Sequence, residues 1–110
     1  MASKRPQNPT TSKKGVSAAE FPALRQFLRG YLHEDWMEEY DSPAEAVRQF
    51  LEDADAGERQ QLASEWQMFR ERTKTEPLAA VGKLLADKLG SSWRPRNAEE
   101  LEEVSLALRL

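Results

Sequence analysis

The residues whose chemistry could define a function are concentrated between Tyr31 and Pro43, where the sequence reads YLHEDWMEEYDSP. This stretch carries five carboxylates, three large aromatic rings and the only histidine of the chain, His33. A histidine beside carboxylates is the combination used by many metal sites and by general acid–base catalysts. The stretch therefore has to be considered first as a catalytic or metal-binding site.

The spacing of these residues argues against a metal site. His33, Glu34 and Asp35 are consecutive, and consecutive side chains on a helix point about 100° apart, so they would not converge on one ion. The chain has no second histidine and no cysteine, which excludes disulfides and thiolate zinc sites. We expect His33 to lie at the end of a helix, where it interacts with the helix dipole or with a nearby carboxylate.

Motifs for catalysis and for cofactor binding are also missing from the sequence. It contains neither GxxxxGK[ST] nor GxGxxG, and no pair of carboxylates stands out among the many acidic residues. We therefore predict that the protein is not an enzyme and that it uses no cofactor and no metal.

The distribution of charge favours a binding function. The whole chain has a net charge of −3, but residues 34–58 contain ten acidic residues and one basic residue, a local charge of −9. Such a field repels nucleic acid and attracts a basic protein partner. The alternative is that these carboxylates form a solvated face that keeps the protein soluble. A short basic segment, Trp93–Arg96, resembles a nucleic-acid contact, but a loop that anchors Trp93 on the core is the simpler interpretation.

The chain divides into a tail and one domain. Residues 1–18 are polar and basic with almost no apolar side chain, which predicts a disordered tail. Residues 19–110 form the predicted helical domain. The sequence start has no apolar signal segment, and no run approaches the roughly 18 apolar residues of a membrane span. We expect a cytoplasmic protein with no membrane partner and no nucleic-acid partner.

Apolar periodicity and capping residues predict about five short helices. The first begins near Phe21–Pro22 and the second at Ser42, with Ser42 and Glu45 in the positions of a capping box. Three later helices are predicted over about 58–72, over 76–89 with Gly90 as the stop, and after the N-cap Asn97. No alternating strand pattern occurs. The predicted fold class is all-α, a compact single-domain bundle.

The same residues carry a resemblance to a known family. The family signature reads FPxLxxFhxxYhHxDW followed by EYxSxxEAhxxFL, where h is an apolar residue. The matching residues here are Phe21-Pro22-Ala23-Leu24-Arg25-Gln26-Phe27-Leu28, Tyr31, His33, Asp35-Trp36, Glu39-Tyr40, Ser42-Pro43, Glu45-Ala46 and Phe50-Leu51. The sequence thus resembles, over about residues 20–55, the immunity proteins of contact-dependent growth inhibition systems. Glu34 stands where glutamine is more frequent in that family.

The resemblance implies a small helical protein that binds and neutralises the toxin domain of a cognate effector. Such toxins are commonly nucleases with basic surfaces, and the free immunity protein is expected to be a monomer. The candidate partner contacts are Glu34, Glu38, Glu39, Tyr40, Glu52, Asp53 and Asp55. The candidate scaffold residues are Tyr31, His33, Asp35, Trp36 and Ser42. An alternative function with the same acidic surface is a regulator that sequesters a basic protein such as a sigma-type factor.

Overall fold

The computed structural model describes residues 16–109, which contain helices and no β-strand. A 3-10 turn, Ala18–Glu20, precedes six α-helices. These are α1 Pro22–Tyr31, α2 Trp36–Glu39, α3 Pro43–Asp53, α4 Ala56–Thr73, α5 Leu78–Leu89 and α6 Ala98–Arg109. The predicted all-α class is confirmed.

The structure contains one helix that was not predicted, and one predicted helix starts earlier than expected. The one-turn helix α2 was not predicted, because four residues are too few to show a periodic apolar face. Helix α4 begins at Ala56 rather than near residue 58, and Gly57 lies in its first turn instead of breaking the helix. At the end of α5, Gly90 has a φ of 77°, the left-handed conformation expected of a glycine stop.

The capping box occurs at a different helix from the one predicted. The Ser42 hydroxyl accepts a hydrogen bond from the Glu45 N–H at 3.2 Å, but the Glu45 carboxylate pairs with Arg48 at 2.8 Å. The reciprocal pair lies at the start of α4. There Asp55 accepts from the Glu58 N–H at 2.8 Å, and Glu58 accepts from the Asp55 N–H at 2.9 Å. Asp55 and Glu58 therefore start α4 together.

The core lies where α1 packs against α4, α3 packs against α6, and α4 also contacts α6. Trp66 of α4 stacks on Phe69 with 5.8 Å between ring centroids, and its other neighbour is Trp93 at 6.4 Å. Trp93 belongs to the loop between α5 and α6 and is 2% exposed, so this loop is anchored on the core as the sequence indicates.

Both ends of α1 are completed by residues that come much later in the chain. At its start, the buried Glu65 of α4 accepts a hydrogen bond from the Leu24 N–H at 2.8 Å. At its end, the Ser92 N–H donates to the Leu32 carbonyl at 3.0 Å. Helix termini leave backbone groups without partners, and here tertiary contacts supply them.

The predicted tail, residues 1–18, is only partly within the described residues, since residues 1–15 lie outside them. Val16 is 5% exposed and belongs to the hydrophobic core, and Ser17 caps the 3-10 turn by accepting from the Ala19 N–H. Glu20 of this turn forms an ion pair with Arg72 of α4. The folded domain therefore includes residues 16–18, which the sequence pattern assigned to the tail.

Candidate partner-binding surface

His33 holds the turn between α1 and α2 through three contacts. Its Nδ1 accepts a hydrogen bond from the Asp35 N–H at 3.1 Å, and its carbonyl accepts from the Trp36 N–H at 2.9 Å. Its Nε2 lies 3.5 Å from a carboxylate oxygen of Glu39. Because Nδ1 is an acceptor, the ring proton lies on Nε2 and faces Glu39. His33 thus ties both ends of the short turn together.

The aromatic rings of α1, α3 and the segment after α2 form one cluster. Tyr31 stacks on Phe27 with centroids 5.4 Å apart and on Tyr40 at 6.5 Å. Phe50 of α3 meets both Phe27 and Tyr31 edge to face, at 5.6 and 5.7 Å. Trp36 is half-buried and packs against the hydrophobic core. The rings are therefore fixed in position by one another and by the core.

Carboxylates from three elements surround the two tyrosines. The Tyr31 hydroxyl donates to Asp53 at 2.7 Å. Burial, followed by this hydrogen bond and the Asp53 charge, raises the pKa of Tyr31 to about 12. Burial also raises the pKa of Tyr40, with further contributions from the charges of Glu39 and Asp53. Glu58 adds to the negative potential at Tyr31. The structure thus brings Glu39, Asp53 and Glu58 to one place.

A groove beside this cluster is lined by residues of α1, α3 and α4, and has a volume of about 420 Å³. We call it the α1–α3–α4 groove. Its lining includes three aromatic rings, two carboxylates and two amides. These residues are Phe27, Tyr31 and Phe50, then Asp53, Glu58, Gln26 and Gln61. Aromatic faces beside carboxylates are suited to a cationic group.

Residues 20–103 match the family model described as CdiI immunity protein. The chain belongs to this family. The match begins before α1 and ends within α6, so it extends the resemblance seen at residues 20–55 through the second half of the domain. No curated protein and no solved structure was found to match the chain.

In this CdiI-type immunity protein, the predicted partner contacts do not form one patch. Asp53 lines the α1–α3–α4 groove, whereas Glu52 lines a separate depression between α3, α4 and α6, together with Arg59 and Arg109. Asp55 is occupied as the cap of α4. Neighbouring positions in the sequence therefore serve different surfaces.

The side chains of the other predicted partner contacts differ in how firmly the fold holds them. Glu34 and Glu38 are exposed, and neither side chain has a hydrogen bond or ion pair within residues 16–109. Glu39 is held near His33, and Tyr40 is half-buried against Tyr31. Glu34 and Glu38 are free to meet a partner, Glu39 is exposed but lies against His33, and Tyr40 is already packed.

Sequence reasoning missed several residues of the groove in this CdiI-type protein, namely Phe27, Phe50, Glu58 and the two glutamines. The apolar stripe predicts Phe27 and Phe50 as core, and it does not show that one side of each ring faces a groove. Glu58 had a local signal, since it follows Asp55 by three residues in the pattern of a capping box.

No group of three or more His, Cys, Asp and Glu side chains that could hold a metal ion occurs in the part of the chain that the structure describes.

None of the helices between residues 16 and 109 combines the length and the apolar character needed to cross a membrane.

Proposed function

We propose that this immunity protein binds the C-terminal toxin domain of a cognate contact-dependent growth inhibition effector in the cytoplasm of the producing cell. The family match over residues 20–103 carries this proposal. Neutralisation requires only that the toxin's active site or an adjoining surface be covered, so no catalysis by the immunity protein is needed. Binding has to be tight, because one free toxin molecule turns over many times.

A basic toxin, such as a nuclease, is the partner that the charge distribution supports. Residues 34–58 carry a charge of −9, and Glu34, Glu38 and Glu52 have no ion pair among the described residues. Unpaired surface charges steer an oppositely charged partner and raise the association rate. The carboxylates thus act on encounter, before contacts form.

The rigidity of the aromatic cluster supports tight binding once contact is made. Tyr31 is fixed by stacking on two rings and by its hydrogen bond to Asp53. Side chains already ordered in the free protein lose little conformational entropy on association. We propose a monomer that meets the toxin with a largely preformed surface.

Co-expression with neighbouring effectors tests the proposal. The toxin domain of the effector encoded next to this protein should stop growth alone, and this protein should restore growth and co-purify with it. A toxin domain from an unrelated effector is the matched control and should be neither bound nor neutralised. Rescue from no neighbouring effector, together with co-purification of a sigma-type factor, would replace immunity with the regulatory alternative.

A further inference from the structure

We propose that the α1–α3–α4 groove receives an arginine side chain of the toxin and is the anchoring pocket of the interface. The proposal rests on the proposed function and names the chemistry of the contact that the partner makes. Three observations support it: the aromatic lining, the absence of a counter-ion for its carboxylates among residues 16–109, and the hydrogen-bonding groups of the polar lining.

The aromatic lining of the groove consists of three rings that contact one another. Phe27 and Tyr31 stack with an interplanar angle of 20°, and Phe50 stands nearly perpendicular to both. A guanidinium lying within about 6 Å of a ring centroid is attracted to the ring face and covers it with its own flat surface. Phe27 is 3% exposed and Tyr31 is stacked on both Phe27 and Tyr40, so the half-buried Phe50 offers the ring surface that a guanidinium would meet.

The two carboxylates of the groove have no cation of their own among residues 16–109. Asp53 accepts hydrogen bonds from two neutral donors, the Tyr31 hydroxyl at 2.7 Å and the Gln49 amide at 3.1 Å. Glu58 accepts from the backbone of Asp55. These bonds hold both carboxylates in place without neutralising them. A cation entering the groove would meet two fixed negative charges.

The polar lining favours arginine over lysine. A guanidinium has five N–H donors in a plane and can reach several acceptors at once, whereas an ammonium acts as a compact point charge. Gln61 donates through its amide nitrogen to Glu65 at 2.9 Å, which leaves its carbonyl oxygen as an acceptor beside the carboxylates. Carboxylate and amide oxygens beside aromatic rings suit the planar guanidinium, which donates several hydrogen bonds at once.

The test compares two double variants of the full-length protein for affinity to the cognate toxin domain. Asp53→Asn with Glu58→Gln removes both charges and keeps an acceptor for Tyr31 and for the backbone of Asp55. Glu102→Gln with Glu103→Gln removes the same charge from exposed positions of α6. We expect the first variant to lose at least about tenfold in affinity and the second to stay within about threefold of the wild type. Equal melting temperatures show that both variants are folded.

The partner side of the contact is identified by a double-mutant cycle. Each exposed arginine of the toxin is replaced by lysine and by glutamine, and binding is measured to the wild type and to the Asp53→Asn/Glu58→Gln variant. One arginine should matter to the wild type and not to the variant, and lysine should not restore its affinity. A lysine that couples instead, or no coupled residue, would overturn the assignment of arginine.

The remaining outcomes separate this inference from the proposed function. A wild-type protein that binds no toxin domain overturns the proposed function. A wild type that binds, with a groove variant of undiminished affinity, overturns the groove assignment alone. Tighter binding after deletion of residues 1–15, with no coupled toxin arginine, would assign the groove to the basic segment of the chain itself and likewise overturn the proposal.

Discussion

The carboxylate of Glu65 accepts a hydrogen bond from the backbone N–H of Leu24 at 2.8 Å, across 41 positions of the sequence. Helix α1 has Phe21 at its N-cap, which offers no side-chain acceptor. The carboxylate of α4 therefore caps α1 and places a negative charge at the positive end of its dipole. Glu65 is 6% exposed, and its second oxygen accepts from Gln61 at 2.9 Å, so the buried charge is well supplied with donors.

Two substitutions of Glu65 should destabilise the fold to different extents. Glu65→Ala leaves the Leu24 N–H without a partner in a buried place, and we expect a loss of about 2–3 kcal/mol in the free energy of unfolding. Glu65→Gln keeps an acceptor and should lose clearly less. Urea denaturation of the three proteins measures the difference. Equal losses for both variants would mean that the charge, and not the hydrogen bond, carries the effect.

Two of the three tryptophans, Trp36 and Trp66, should differ in their contribution to stability. Trp66 is 2% exposed and donates to the Ser105 hydroxyl at 2.8 Å, so Trp66→Ala should cost about 3–5 kcal/mol. Trp36 is half-buried, and Trp36→Ala should cost roughly 1–2 kcal/mol, because folding buries less of its apolar surface than that of Trp66. Thermal melts give the ranking. An unchanged melting temperature with a large loss of toxin binding would make Trp36 a binding hot spot.

Reversing the unconstrained carboxylates should slow association without harming the fold. Glu34, Glu38 and Glu52 make no side-chain hydrogen bond or ion pair within residues 16–109, so Glu34→Lys and Glu38→Lys should leave the melting temperature nearly unchanged. Glu52→Lys should lower it slightly, because this position shares a depression with Arg59 and Arg109. The association rate with a basic toxin should fall by about tenfold at low salt, with less change in dissociation. Stopped-flow kinetics at two salt concentrations measure both rates.

Asp55→Lys is the matched comparison for this experiment. It reverses one charge of the same acidic segment but removes the N-cap of α4, and should cost about 1 kcal/mol of stability. An association rate that is indifferent to salt and to the triple reversal would mean that Glu34, Glu38 and Glu52 form only a solvated face. The binding surface would then have to lie elsewhere.

The Tyr31–Asp53 hydrogen bond should be visible as a dependence of stability on alkaline pH. Burial and Asp53 raise the pKa of Tyr31 from its usual value near 10 to about 12. Between these values the folded protein holds a proton that the unfolded chain releases, so stability is present below pH 10 and falls as pH rises towards 12. Absorbance titration of the tyrosinates, compared with Tyr31→Phe, measures the step. A Tyr31 that ionises near pH 10 would contradict this geometry.

Helix positions were predictable because local chemistry determines them. Asn97 caps α6 by accepting from the Glu100 N–H at 3.0 Å, and Gly90 ends α5, both as the sequence indicates. The start of α4 was placed two residues late, because the Ala56-Gly57 pair interrupts the apolar pattern and the capping pair Asp55–Glu58 was overlooked. Burial of Val16 depends on the three-dimensional position of the N-terminal segment, which a polar composition does not reveal.

The proposed binding surface was less predictable than the fold, because adjacent residues of a helix face different directions. Glu52 and Asp53 are neighbours in an acidic run, yet one lines the depression near α6 and the other lines the α1–α3–α4 groove. The groove joins residues of three helices, so its composition follows from packing. The sequence therefore identified the acidic segment but did not show that its residues line two different surfaces.

The contacts at the two ends of α1 determine when this helix can become stable during synthesis. Helix α1 is synthesised before α4 and α5, but its start waits for Glu65 and its end waits for Ser92. An isolated helix of 10 residues is marginal in water, so α1 gains little stability before these partners emerge. The stability of α1 thus depends on residues that are synthesised after it, up to Ser92 in the loop that follows α5.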